Sequence, residues 1–95
     1  LFLLFLEKMS RHSKVIIKNP VGLHARPAAN LVKEAVRHQC AIRVEYNGKT
    51  ADAKSILQVL ALGAGCGEEV EVFADGPGEA GALATIVALI ESEEG

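Results

Sequence analysis

The chain has 95 residues, 49% of them hydrophobic and 23% charged, with a net charge of −2. That is enough chain for one small domain with a modest core. The slight acidity excludes a general nucleic-acid binder, which carries a basic excess. No apolar run approaches the roughly 18 residues that a membrane span needs, so no membrane role is expected. Aromatic residues are 4% of the chain, which leaves Val, Ile, Leu and Ala to build the core.

The opening string LFLLFLEK reads as an extension of uncertain origin, residues 1–8, with the domain proper at residues 9–95, beginning near Met9. Its apolar run is short for a signal-peptide core and no basic residue precedes it; a short hydrophobic anchor is the alternative. SKVIIKN, residues 13–19, is a β-rich run closed by Asn19-Pro20. From Ala25, apolar residues recur at Ala28, Leu31, Val32, Ala35 and Val36, and the spacing predicts a helix over three turns.

Ile42, Val44 and Tyr46 alternate with Arg43 and Glu45 as in a half-buried strand. Asn47-Gly48 then supplies a hairpin turn, and residues 49–52 the return strand. Ser55 with Gln58 forms a capping-box pattern, in which the serine oxygen takes a first-turn amide and Gln58 reaches back to the cap. A short helix is predicted from Ile56 to about Leu62, ended by Gly63. Val70, Val72 and Ala74 mark a fourth strand, and Glu79 to about Ser92 a last helix with Leu83, Ile86, Val87 and Ile90 inward. The order β-α-β-β-α-β-α predicts an α+β fold: one mostly antiparallel sheet with helices on one face. The two cysteines, Cys40 and Cys66, form no CxxC pair and read as small, reduced core residues.

Chemistry concentrates at GLHARPA, residues 22–28. If His24 is an N-cap, Pro27 falls in the first turn, where its missing amide costs nothing. The free backbone amides of Ala25 and Arg26 then sit beside the imidazole at a helix start, which favours anions. Arg26 adds a planar fork matched to phosphate oxygens. An imidazole is largely neutral at cytosolic pH and offers a nitrogen nucleophile. These parts suit a histidine that takes a phosphoryl group and passes it on. The same residues fit a plainer reading, in which His24 only caps the helix and Arg26 only faces solvent.

The whole string GLHARPA resembles the active-site motif of the HPr family, the histidine-containing phosphocarriers of the bacterial phosphotransferase system. Asn19-Pro20, NGK at 47–49, AKSI at 53–56 and LG at 62–63 resemble the family at the family's spacings. The resemblance runs from about Ser13 to the C-terminus. It implies an open-faced β-sandwich, a four-stranded antiparallel sheet with three helices on one face.

The same resemblance implies that His24 is phosphorylated on Nδ1 and that Arg26 stabilises the phosphate. It implies that Ser55 is the target of a regulatory kinase, and that Ile56, Leu57 and Leu60 are exposed apolar residues that dock partners. The expected partners are enzyme I, which supplies a phosphoryl group originating from phosphoenolpyruvate, and EIIA domains, which remove it. A serine kinase/phosphorylase and a catabolite-control regulator are further expected partners. A cytoplasmic monomer is expected, a carrier and substrate, with no catalytic turnover of its own, no cofactor and no metal. An HPr-like regulator acting through Ser55, or a nitrogen-branch carrier, is the alternative. The family often has a small polar residue where this chain has Val21.

Other features have ordinary readings. Ser55 is explained as a helix cap whether or not it is modified. The glycine-rich stretch 63–67 lacks the spacing of a phosphate loop and reads as a helix stop and turn. A short helix cannot bury Ile56, Leu57, Val59 and Leu60 together, so part of that set should face outward as a docking patch. His12 and His38 have no partner pattern. No acidic residue lies near GLHARPA to complete a hydrolytic triad, and no metal-ligand spacing is present.

Overall fold

The computed structural model describes residues 11–92. Residues 1–8 and Met9, read above as an extension and a domain start, lie outside the described residues. The elements are β1 (Arg11–Ile16), α1 (Ala25–Ala35), β2 (Ala41–Tyr46), β3 (Lys49–Asp52), α2 (Ile56–Leu62), β4 (Glu69–Asp75) and α3 (Glu79–Glu91). The strands form one antiparallel sheet in the order β1-β4-β2-β3.

Alternation decides which face is buried. Val15 on β1, Val70, Val72 and Ala74 on β4, Ile42 and Val44 on β2, and Ala51 on β3 all point into the core. The three helices cover that face, contributing Ala28, Leu31 and Ala35 from α1, Val59 and Leu62 from α2, and Ala82, Ile86 and Ile90 from α3. The opposite face is polar. There Phe73 is stacked on His12 at 5.3 Å between ring centroids, and the Arg43 guanidinium lies 4.1 Å from the Phe73 ring centre. His12 also reaches Glu71 at 2.8 Å, so it serves the sheet surface. His38 does the same for the end of α1, 2.9 Å from Glu34 one turn earlier.

The hairpin joining β2 and β3 turns at Asn47 and Gly48, both with positive φ (51° and 81°), as a tight two-residue turn requires. Gly63 ends α2 in the left-handed conformation, φ 69°.

Several expectations shift. The first strand runs over Arg11–Ile16 instead of residues 13–19, because its partner β4 starts at Glu69, opposite Ile16. Past that point Ile17 pairs with a turn: its amide donates to the Glu68 carbonyl at 2.9 Å, and its carbonyl accepts from Gly67 at 2.7 Å. Val36 is 56% exposed, since α1 ends at Ala35 and the cap residue leaves the apolar stripe. Leu83 and Val87 are half-buried; the fully buried stripe of α3 passes through Ala82, Ile86 and Ile90.

Cys40 is buried as expected, but Cys66 is exposed. The Glu68 amide donates to the Gly65 carbonyl, making Cys66 and Gly67 the central pair of a reverse turn, and such positions project outward. The capping box is half made. The Gln58 amide donates to Ser55 Oγ over a long 3.4 Å, while Gln58 Oε1 accepts from the amide of Asp52 at 2.8 Å instead of from Ser55. The Ser55 amide is already committed to the Asp52 carbonyl at 3.0 Å. The glutamine thus ties α2 to the end of β3.

Candidate functional site

His24 is the N-cap of α1, in extended conformation (φ −139°, ψ 162°), and its side chain makes no capping hydrogen bond. The ring is exposed, and among the described residues no hydrogen bond or ion pair engages the side chain of His24 or of Arg26. Ala25 and Arg26 follow in the first turn, where their amides have no intrahelical acceptor. Ala25 has φ 51°, a left-handed conformation that alanine adopts at a cost of roughly 1–2 kcal/mol. Surrounding structure must impose that conformation.

The turn before His24 is closely held. The Gly22 amide donates to the Asn19 carbonyl at 2.9 Å, and the Val21 amide donates to Asn19 Oδ1 at 3.0 Å. Asn19 is itself only 6% exposed, so one buried side chain and its own carbonyl hold the first part of the turn. Gly22 lies at φ +70°, and a Cβ there would stand 2.5 Å from the Ala64 carbonyl oxygen and 2.7 Å from Gly65 Cα. Leu23 is buried, and its amide donates to that same Ala64 carbonyl at 3.0 Å. His24 is therefore presented by a turn resting directly on the loop after α2.

That loop is the glycine-rich stretch, and it is a support, as its sequence suggested it was no phosphate loop. Gly65 donates its amide to Glu68 Oε1 at 2.7 Å. The neighbouring Glu68 carboxylate, as hydrogen-bonding partner, raises Tyr46 above the ordinary tyrosine value, with burial and the carboxylate charge adding to the rise. Tyr46, followed by the Gly65 amide, lowers the Glu68 carboxyl below the usual glutamate value against an opposing effect of burial. Beside the site, a cleft of about 220 Å³ opens between Ile17, Leu23, Pro27, Asn30 and Leu89.

The residues predicted to dock partners sit on α2. Leu57 is 76% exposed and Ile56 39% exposed, whereas Leu60 is half-buried against the core. The outward set is thus narrower than the expected three. Ser55 opens this helix and Ala64 follows its end, so a seven-residue helix, about 10 Å long, separates Ser55 from the support of the His24 turn. Val21 is 56% exposed near His24 and presents no polar group there.

In the sequence Asn19-Pro20 reads as the end of the first strand and as part of the family resemblance, but not as the place of the buried residue that closes the turn before His24, although Asn-Pro favours a side-chain-closed turn. Ala64 and Glu68 are not singled out there: Ala64 acts through its carbonyl, which has no sequence signature, and Glu68 through a bond to the amide three residues before it.

Four antiparallel strands beneath three helices form the open-faced β-sandwich that the resemblance implies. Residues 12–92 match the family model described as PTS HPr component phosphorylation site, and the chain belongs to the HPr family, the phosphocarriers of the phosphotransferase system. It is 40% identical to the phosphocarrier protein HPr of Treponema pallidum (strain Nichols) over 79 residues, covering 83% of this chain and 90% of that protein. Among solved structures, HPr-C-His from Thermoanaerobacter tengcongensis superposes with a TM-score of 0.84 at 41% identity, covering 87% of this chain and 93% of that one. HPr from Bacillus anthracis str. Ames superposes at 0.83 with 34% identity, covering 85% and 96%.

Proposed function

We propose that His24 accepts a phosphoryl group on Nδ1 from phosphorylated enzyme I and passes it to EIIA domains, for sugar uptake or its regulation in the cytoplasm. The observation that carries this reading is the exposed, unengaged imidazole at the start of α1, with Arg26 two residues on. In the first transfer the Nδ1 lone pair forms a bond to phosphorus. The bond from phosphorus to the donor breaks, and its electron pair leaves with the donor. The second transfer repeats the step with His24 as the leaving group. The amides of Ala25 and Arg26 and the Arg26 guanidinium spread the phosphoryl charge. The grip must remain moderate, since over-stabilising the phosphohistidine would stall delivery. An exposed site with one arginine meets that need. Incubation with phosphoenolpyruvate and enzyme I, followed by mass measurement, should show one added phosphoryl group, and an unchanged mass contradicts the reading.

Arg26→Ala should slow transfer by about ten- to a hundredfold, the loss of one charge-assisted hydrogen bond. Arg26→Lys should recover only part of the rate, because lysine keeps the charge and loses the fork. Rapid-quench measurement of phosphoryl transfer from enzyme I checks both; full activity in the alanine variant would mean that the helix amides suffice.

Ser55 is proposed as a regulatory phosphorylation site for a serine kinase/phosphorylase, with a catabolite-control regulator as reader. The surface of Ile56 and Leu57, with part of Leu60, is proposed to dock enzyme I. A charge at Ser55 opposes that docking while suiting the helix start. Ser55→Ala should cost at most about 1 kcal/mol, because the capping bond it loses is long. Ser55→Asp should melt no earlier than wild type, yet accept phosphate about tenfold more slowly, equivalent to about 1.4 kcal/mol of docking. A melting curve and a rate series over enzyme I concentration read the two effects separately. Early melting contradicts the capping account, and an unchanged rate contradicts docking at α2.

A further inference from the structure

The stretch that supports the His24 turn is an unusual support. Residues 63–67 read Gly-Ala-Gly-Cys-Gly, and glycine gives a backbone more freedom than any other residue. Yet Leu23 and Gly22 rest on the peptide joining Ala64 and Gly65, at the distances given above, and Leu23 directly precedes His24. Something must hold that peptide still.

We propose that Glu68 is a positioning residue for His24, acting through the peptide between Ala64 and Gly65. Its carboxylate takes the Gly65 amide at 2.7 Å, its amide donates to the Gly65 carbonyl at 3.2 Å, and its carbonyl accepts from Ile17 at 2.9 Å. Two of these bonds go to Gly65, and the third ties Glu68 to the residue that follows β1. The order of contacts is Glu68, Gly65, Ala64, Leu23, His24, with a hydrogen bond or a peptide bond at every step. Glu68 touches neither imidazole nor phosphate; it fixes the surface against which the acceptor is aimed. A charge-assisted bond to an amide exceeds a neutral one in strength, which suits a carboxylate to pinning a glycine-rich turn.

This inference rests on His24 being the phosphoryl acceptor. The test uses the full chain as wild type, Glu68→Ala and Glu68→Gln, with two readouts: amide hydrogen exchange, and the kcat and KM of phosphoryl transfer from enzyme I. In Glu68→Ala the Gly65 and Leu23 amides should exchange about three- to tenfold faster, while those of the inner strand β4 stay unchanged. Its kcat should fall by about the same factor, with KM held because α2 is untouched. Glu68→Gln keeps an acceptor for the Gly65 amide and should restore most of both. Unchanged Leu23 exchange in Glu68→Ala overturns the proposal. So does faster exchange with an unchanged kcat, which would show that the support moves without affecting the histidine. If the wild-type chain takes no phosphoryl group, the acceptor assignment fails and the proposal falls with it; a labelled wild type with an unaffected alanine variant overturns the positioning alone.

Discussion

Replacing His24 with alanine is expected to abolish phosphoryl acceptance from enzyme I and to leave the fold intact. The histidine side chain makes no capping hydrogen bond and is exposed, so its removal deletes no packing and orphans no partner. Melting should therefore stay within about 0.5 kcal/mol of wild type, as for surface substitutions generally. The loss of transfer should be complete, since no second nucleophile shares the helix start. His12 and His38, the remaining histidines, are held by Glu71 and Glu34. The label on the wild-type chain should be acid-labile and base-stable, as phosphorus on nitrogen is. Undiminished labelling of the alanine variant would contradict the assignment.

Gly22→Ala is expected to have the largest effect on structure. The new methyl group meets the Ala64 carbonyl oxygen at 2.5 Å and Gly65 Cα at 2.7 Å, and both obstacles are backbone. Forcing alanine to φ +70° costs roughly 1–2 kcal/mol, and overpacking adds about 1–3 kcal/mol. The turn can relieve the clash only by lifting off the support, which breaks the bond from the Leu23 amide to Ala64. Thermal denaturation should show the destabilisation, and transfer should fall well below that of Arg26→Ala because aim and anion site are lost together. Gly48→Ala is a fitting control: φ is +81°, but a Cβ there meets nothing within 4 Å. It should carry the conformational cost alone and leave transfer unchanged. Equal behaviour of the two variants would show that the contact with Ala64 does not matter.

The elements of the fold were legible because each carried a local physical signature. Alternation placed β2 and β4, Asn47-Gly48 placed the hairpin, and Ser55 and Gly63 marked both ends of α2. Errors arose where tertiary pairing overrode local pattern. SKVIIKN is β-prone throughout, yet the strand ends at Ile16 because the turn at residues 65–68 replaces the partner strand there. Gln58 has the spacing of a capping box, but the Asp52 amide was within reach and the Ser55 amide was already engaged. Cys66 is apolar by type and exposed by its place in a turn.

The site divides in the same way. GLHARPA names the groups beside the proposed chemistry, His24, Arg26 and the amides of α1. What aims them is a set of backbone contacts between segments about forty residues apart, from Leu23 to Ala64 and from Gly22 to Gly65. A carbonyl acceptor has no sequence signature, and the bond from the Gly65 amide to Glu68 exists only once the turn at residues 65–68 has formed.

The central claim is that the His24 Nδ1 atom carries the phosphoryl group. Nitrogen-detected NMR of the ¹⁵N-labelled chain, recorded during incubation with phosphoenolpyruvate and enzyme I, reads that atom directly. The account predicts that the His24 ring alone shifts, with coupling to phosphorus at Nδ1, and that the rings of His12 and His38 keep their resonances. Phosphorus coupling at His24 Nε2, at either other histidine, or at none of the three while the chain gains the group would contradict it.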